Sequence, residues 1–231
     1  MHVRSNLRQA LVVLGAALAL LTTACERPSE AEVARWGQFV GRIDGVSTER
    51  LGLSWRPGCP VSPSDLRLLT LSYWGVDGVG HQGELIVHRD IAPGVINAFR
   101  VLWITKFPIN RMETPERYIR AEDIGPDGEY LPGEPGPDTA NDTSGFLCRR
   151  STGARSWSQH AYGKAIDINP VQNPYVKGST VVPLNGAYNP LAPGTITRTG
   201  IVVRAFQAAG LKWGGNWRSA KDYMHFSANG R

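Results

Sequence analysis

Glycine and proline interrupt this chain at short intervals, 26 Gly and 16 Pro in 231 residues. Glycine adds backbone freedom and proline removes a donor, so many turns and long loops are expected. Residues 66–74 alternate loosely and are rich in Leu, Thr and Tyr, as a strand requires, and 83–88 (GELIVH) reads as the partner strand across a Gly-rich turn. Residues 91–106 carry Ile91, Val95, Phe99 and Leu102 at helical spacing, ended by Phe107-Pro108. Short strands are expected at 109–112, 165–168, 211–213 and 223–226, with a helix over 199–209 closed by Gly210. Few helices, short strands and long loops predict an α+β domain, its helices packed on a small antiparallel sheet. No internal repeat and no second domain is visible.

The first 25 residues read differently. Arg4 and Arg8 precede an almost unbroken apolar run over 10–21, too short for a permanent membrane span, and Thr22, Thr23 and Ala24 lead into Cys25. This is the pattern of a secretory signal over 1–24. Its end resembles a bacterial lipoprotein signal, in which lipidation of Cys25 would anchor the protein to the outer face of the membrane. Thr22 stands where that signal usually has Leu, and a plain cleaved signal with an incidental Cys25 is the alternative, giving a secreted protein. Residues 25–50 then read as a polar tether with a short helix through Trp36 and Phe39, and 51–231 as the folded domain.

Cysteine usage agrees with export. With Cys25 set aside, Cys59 and Cys148 remain, an even pair for an oxidising compartment. A disulfide between them would close a long loop and add about 4 kcal/mol on the chain-entropy model. Zinc ligation by the two is the rival reading, although neither belongs to a CxxC pair. The formal charge of +5 includes Arg4 and Arg8 of the leader, and no basic block or basic–aromatic interleaving marks a nucleic-acid groove. The stretch 122–142 is acidic and rich in Gly and Pro. It is expected to be too polar to pack and to form a surface loop over or beside a site.

Two segments carry the chemistry: 158–167 (SQHAYGKAID), and 213–226 (WGGNWRSAKDYMHF). Imidazole and carboxylate are zinc ligands, and a catalytic zinc keeps three protein ligands and an open fourth position. Strand alternation at 165–168 sends Ile166 and Ile168 to the core and Asp167 to the other face. Gly163 lets the backbone turn so that His160 returns beside Asp167, and His225 completes the set from a neighbouring strand. Asp222, three residues earlier, is placed to reach a metal-bound water. Alone, each of these residues is more ordinarily a core or surface group; the pairing of each His with a nearby carboxylate is what points to a metal.

These two segments resemble the SxHxxGxAxD motif and the closing Trp-Gly-Gly…acid-x-x-His motif of the zinc D-alanyl-D-alanine carboxypeptidases (VanY-like) and L-alanyl-D-glutamate endopeptidases. The resemblance is strong over 144–226 and looser before it. It implies a Hedgehog/DD-peptidase-like fold, Zn2+ held by His160, Asp167 and His225, and Asp222 as the acid/base that moves a proton from water to the leaving amine. It also implies a substrate-binding arginine just upstream of the first motif, assigned to Arg149 rather than Arg150 for the carbonyl or developing oxyanion. Ser158 would donate a hydrogen bond to substrate or orient the loop. Trp213, Trp217 and Tyr223 would line the cleft, or form its packed wall. His81 and His88 are set aside as strand-surface residues.

The implied activity is hydrolysis of peptidoglycan stem peptides or muropeptides by a monomer that meets the membrane only through an anchor and binds no nucleic acid. The Asp222 variant of the motif leans towards the endopeptidase side. A non-catalytic zinc-containing cell-wall binding module is the alternative, opposed by the presence of Asp222 beside all three ligands.

Overall fold

The structure is a computed structural model, describing residues 37–125, 130, 136–151 and 154–231. The leader and Cys25 lie outside the described residues, as do Trp36 and part of the acidic loop. From Gly37 to Val40 the chain has no regular structure. Strand β1 (Gly41–Gly45) and a single-turn helix α1 (Thr48–Leu51) follow, capped by the Ser47 hydroxyl. The tether reading of 25–50 is therefore corrected from Gly41 onward. Val40 N–H donates to Ser72 Oγ at 2.9 Å and β1 pairs with the next strand, so this stretch gains partners that its polar composition did not advertise.

Strands β2 (Leu66–Gly75) and β3 (Gly80–His88) form the expected antiparallel hairpin. Helix α2 (Ala92–Ile104) follows, then β4 (Pro108–Ile109), which pairs in parallel with the end of β2. The strand expected over 109–112 is shortened to this pair, because Arg111 bridges instead to Asp142. Strands β5 (Ala165–Asp167), β6 (Tyr175–Lys177) and β7 (Thr180–Val182) precede helix α3 (Ile201–Ala208). Strands β8 (Lys212–Trp213), β9 (Lys221–Asp222) and β10 (His225–Ser227) complete the chain. They make three sheets: β1-β2-β3 with β4 beside β2, then β5-β10-β8, then β7-β6-β9.

One apolar core joins the first two sheets. Leu69, Leu71, Leu85 and Val87 point from β2 and β3 onto α2, whose Val95, Phe99 and Leu102 lie on one helical face. Phe99 meets Phe206 of α3 edge-on at 5.6 Å, and Phe206 stacks on Phe226 of β10 at 4.6 Å. Ile166 and Phe226, opposite each other across β5 and β10, are fully buried in this core. By the period of two, their neighbours Asp167 and His225 face the other way. A smaller cluster on the far side of the β2–β3 hairpin gathers Leu51, Leu66, Ile86, Phe146 and Cys148.

Cys59 and Cys148 form the expected disulfide, Cα atoms 5.9 Å apart across 89 residues. It pins the strand-like run before the first motif and is the cross-link of an oxidising, extracytoplasmic compartment. Among the described residues, no helix is long and apolar enough to cross a membrane. The acidic stretch is not wholly unpacked, contrary to the expectation. Asp123 is buried with its carboxylate on the Arg120 backbone and guanidinium. Asp142 is fully buried and accepts from Glu113 N–H at 2.8 Å. The partners of Asp123 let its carboxylate be buried at tolerable cost, whereas Asp142 keeps an unpartnered Oδ2 and burial pushes its carboxyl well above the usual range.

Candidate metal centre and its cleft

The β5–β10 register sets Asp167 directly opposite His225. Directly opposed residues share a face with their Cβ atoms close together, so one carboxylate and one imidazole converge without any loop being needed. Ser144 bridges the other edge of Asp167, the two residues exchanging N–H···O bonds of 2.9 and 3.0 Å. His160 arrives on a short turn, Gln159–Tyr162. Ser158 Oγ accepts from His160 N–H at its start, and Gly163 ends it at φ 65°. Gly163 also admits the backbone of His88, whose N–H donates to the Gly163 carbonyl at 2.7 Å. A Cβ there would lie 2.7 Å from His88 N.

Three side chains thus meet, 3%, 4% and 5% exposed for His160, Asp167 and His225. His160 Nε2 is 2.9 Å from Asp167 Oδ2, His225 Nδ1 is 3.0 Å from Asp167 Oδ1, and the two ring nitrogens are 3.3 Å apart. The opposite nitrogen of each ring faces a backbone carbonyl: His160 Nδ1 lies 2.6 Å from Gly145 O and His225 Nε2 lies 3.2 Å from Arg231 O. A carbonyl only accepts, so these nitrogens carry the protons, and the neutral rings turn lone pairs towards each other and towards the carboxylate. Such an arrangement is repulsive unless a cation or a proton sits among the three atoms.

The donor set fits zinc. Two nitrogens about 2.0 Å from a tetrahedral ion stand about 3.3 Å apart, and carbonyl partners on the outer nitrogens are the usual outer shell of metal-bound histidine. His160, Asp167 and His225 form the group among the described residues with donor atoms near enough for an ion, all within 4.8 Å. The charges respond accordingly. Burial alone would raise Asp167, but His160 and His225 hold its carboxyl well below the usual range. Burial would lower His225, yet the bond to Asp167 and its charge push that imidazole up.

Asp222 ends β9, beside the cluster, and burial pushes its carboxyl up to about 7, with His225 pulling down and Asp167 pushing up. Its Oδ1 is buried with no hydrogen-bond partner among the described residues. Gly214 makes this approach possible: a Cβ there would meet Asp222 O at 2.7 Å and Asp222 Cβ at 2.9 Å. At Gly215 a Cβ would enter the Trp213 ring, at 2.3 Å. Both glycines of the Trp-Gly-Gly segment are therefore required by close packing.

The cluster lies at the junction of two cavities of about 210 and 220 Å³. Asp222 and His225 line the first lobe, together with Ser151, Gln159, Tyr175, Trp217 and Arg231. His160 lines the second, among Gly145, Leu147, Pro137 and Pro183. Asp138, Arg149, Asp167 and Val182 border both. Arg149 therefore faces the cleft, whereas Arg150 is turned over the Trp157 ring at 3.5 Å. Ser158 borders the first lobe while capping the His160 turn, so its hydroxyl orients the loop.

Trp217 lines the cleft, but Trp213 and Tyr223 do not. Trp213 is buried in the main core with its Nε1–H on the Tyr223 carbonyl, and Tyr223 stacks face to face on Tyr188 at 3.6 Å. Lys164 pairs with Asp90, His81 with Asp77 and His88 with Asp90, all outside the two lobes. Sequence reasoning missed Asp138, Gln159, Tyr175 and Arg231. Asp138 lay within a loop expected beside the site, while nothing local marked Tyr175 or Arg231.

Residues 152–228 match the family described as D-alanyl-D-alanine carboxypeptidase, which spans both motifs and all of His160, Asp167, Asp222 and His225. Over that stretch the chain is similar to this peptidase family. No solved structure matches the chain significantly.

Proposed function

We propose that the chain is a zinc metallopeptidase that hydrolyses peptide bonds of peptidoglycan stem peptides, as a D-alanyl-D-alanine carboxypeptidase or an L-alanyl-D-glutamate endopeptidase. The family match over 152–228 supports a peptidase. The observation that carries the rest is the convergence of two histidine lone pairs and the Asp167 carboxylate at 2.9–3.3 Å, next to a buried, unpartnered Asp222 Oδ1. His160, Asp167 and His225 would hold the metal. When bound, zinc polarises the scissile carbonyl and brings the pKa of a coordinated water towards about 7.

The protein's own groups do the remaining work. Asp222 Oδ1, buried beside the ligands, takes up the proton released by the attacking water and returns it to the leaving nitrogen. Arg149 borders both lobes, and its guanidinium would bind the substrate carbonyl from there. Because the cleft continues on both sides of the cluster, it accommodates a peptide that runs past the scissile bond. Export, with Cys25 as a lipid anchor to the outer face of the membrane, brings the site to this substrate.

Purified protein is incubated with defined muropeptides, with and without a chelator, and the products are read by mass spectrometry beside Asp222→Ala. Chelator-sensitive, Asp222-dependent loss of one D-Ala identifies the carboxypeptidase, and a cut after L-Ala the endopeptidase. Stoichiometric zinc without cleavage of any muropeptide would replace this proposal with the non-catalytic binding module.

A further inference from the structure

The segment after the last motif is built into the site. Trp217 Nε1–H donates to the Gly230 carbonyl at 2.7 Å, the Arg231 carbonyl accepts from His225 Nε2–H at 3.2 Å, and Arg231 N–H donates to Asn229 Oδ1 at 2.9 Å. These bonds fix the backbone of Arg231 against two cleft residues, and Arg231 is among the residues that line the first lobe. Its guanidinium has no hydrogen-bond or ion-pair partner among the described residues. Arg231 lies beyond the matched stretch 152–228, so the family match says nothing of it.

The two lobes are not equivalent. Asp222 borders only the first, so the nitrogen that it protonates must sit there, and with it the residue released by cleavage. This assignment rests on the peptidase reading given above. The first lobe carries the carboxylates of Asp138, Asp167 and Asp222, with Arg149 and Arg231 as its cations. Arg149 also borders the second lobe, whereas Arg231 faces the first alone. A planar guanidinium carried by a residue that lines a pocket suits a carboxylate.

We propose that Arg231 is a specificity-determining residue, anchoring a carboxylate carried by the released residue while its carbonyl holds the His225 ring. Both candidate leaving residues meet this requirement: a terminal D-Ala ends in a carboxylate, and D-Glu retains a free one.

The test is equilibrium binding by calorimetry in an Asp222→Asn background, which removes turnover from the measurement. Three probes are used: the stem pentapeptide, its C-terminal amide, and the peptide amidated at the D-Glu carboxylate. Arg231→Ala is expected to weaken binding of the free pentapeptide about tenfold, and Arg231→Lys to restore most of it. One of the two amides should bind the parent as weakly as the pentapeptide binds Arg231→Ala, and should be indifferent to the substitution. Unchanged pentapeptide affinity, or an equal loss on all three peptides, overturns the assignment. Zinc affinity by chelator competition should stay within twofold in Arg231→Ala, since the carbonyl remains; a drop would mean that the side chain serves the metal site instead. Failure of the Asp222-containing parent to cleave any of the peptides would sink the peptidase reading separately, because binding is measured without cleavage.

Discussion

Gly214 links sequence motif to site geometry closely enough for its replacement to be worked out. In Gly214→Ala the new methyl group would stand 2.7 Å from Asp222 O, 2.9 Å from Asp222 Cβ and 3.3 Å from His225 Cβ. Ordinary contact begins at about 3.4 Å, so the segment carrying Asp222 must retreat by about 0.7 Å. The clash is with backbone and with a Cβ, neither of which can escape by changing rotamer. Overpacking of this kind costs about 1–3 kcal/mol. The greater effect falls on the site, since displacement of a reacting group by about 1 Å costs on the order of 10²-fold in rate. The expected variant folds, melts several degrees lower, and loses about 10²-fold in kcat on the muropeptide cleaved by the parent. Gly45→Ala is the control, since a Cβ at Gly45 meets nothing within 4 Å. Urea denaturation and steady-state kinetics on both variants decide the matter. A Gly214→Ala protein with parental kcat and stability would refute the claim that this glycine sets the position of Asp222.

Three further outcomes follow from the same geometry. Arg149→Ala should lower kcat/KM by at least 10²-fold while Arg150→Ala changes it less than threefold, because only Arg149 borders the cleft; equal losses in a kinetic comparison would refute the distinction. Replacing both Cys59 and Cys148 by Ser should remove about 2–5 kcal/mol of stability, read from urea midpoints, and a midpoint equal to the parent's would show the bridge to be dispensable. In chelated protein, Asp222 should make stability pH-dependent. Its carboxyl is raised from 3.8 to about 7, so its protonated form is the one the fold favours. That contribution is complete below about pH 4 and is lost as pH rises through about 7, a change of roughly 4 kcal/mol in full. Asp222→Asn lacks this loss, so its urea stability should overtake the parent's between pH 5 and pH 8; parallel curves would refute the burial argument.

The candidate metal cluster was readable in the sequence because each member is fixed by a local rule: alternation turns Asp167 away from Ile166, a left-handed Gly163 returns His160, and His225 flanks a buried Phe226. The helix over Ala92–Ile104 and the β2–β3 hairpin were readable for the same reason, since one period governs each. Strand β1 was not, because its polar GRIDG run is a strand only by pairing with β2, which no local pattern announces. The aromatic residues show the same division. Trp213, Trp217 and Tyr223 are equivalent candidates by proximity to the motif, yet the pairing of Trp213 with Phe226 across β8 and β10 commits Trp213 to the core. The stack on Tyr188 likewise occupies Tyr223 from a loop 35 residues earlier in the chain. Only Trp217, on the turn after Gly215, is left for the cleft. Asp138, Tyr175 and Arg231 come to the same walls from a surface loop, a separate sheet and the segment beyond the last strand. A candidate metal centre fixed by short-range geometry can thus be inferred from two motifs, whereas the residues that shape the cleft around it arrive through tertiary contacts and become visible only once the chain is folded.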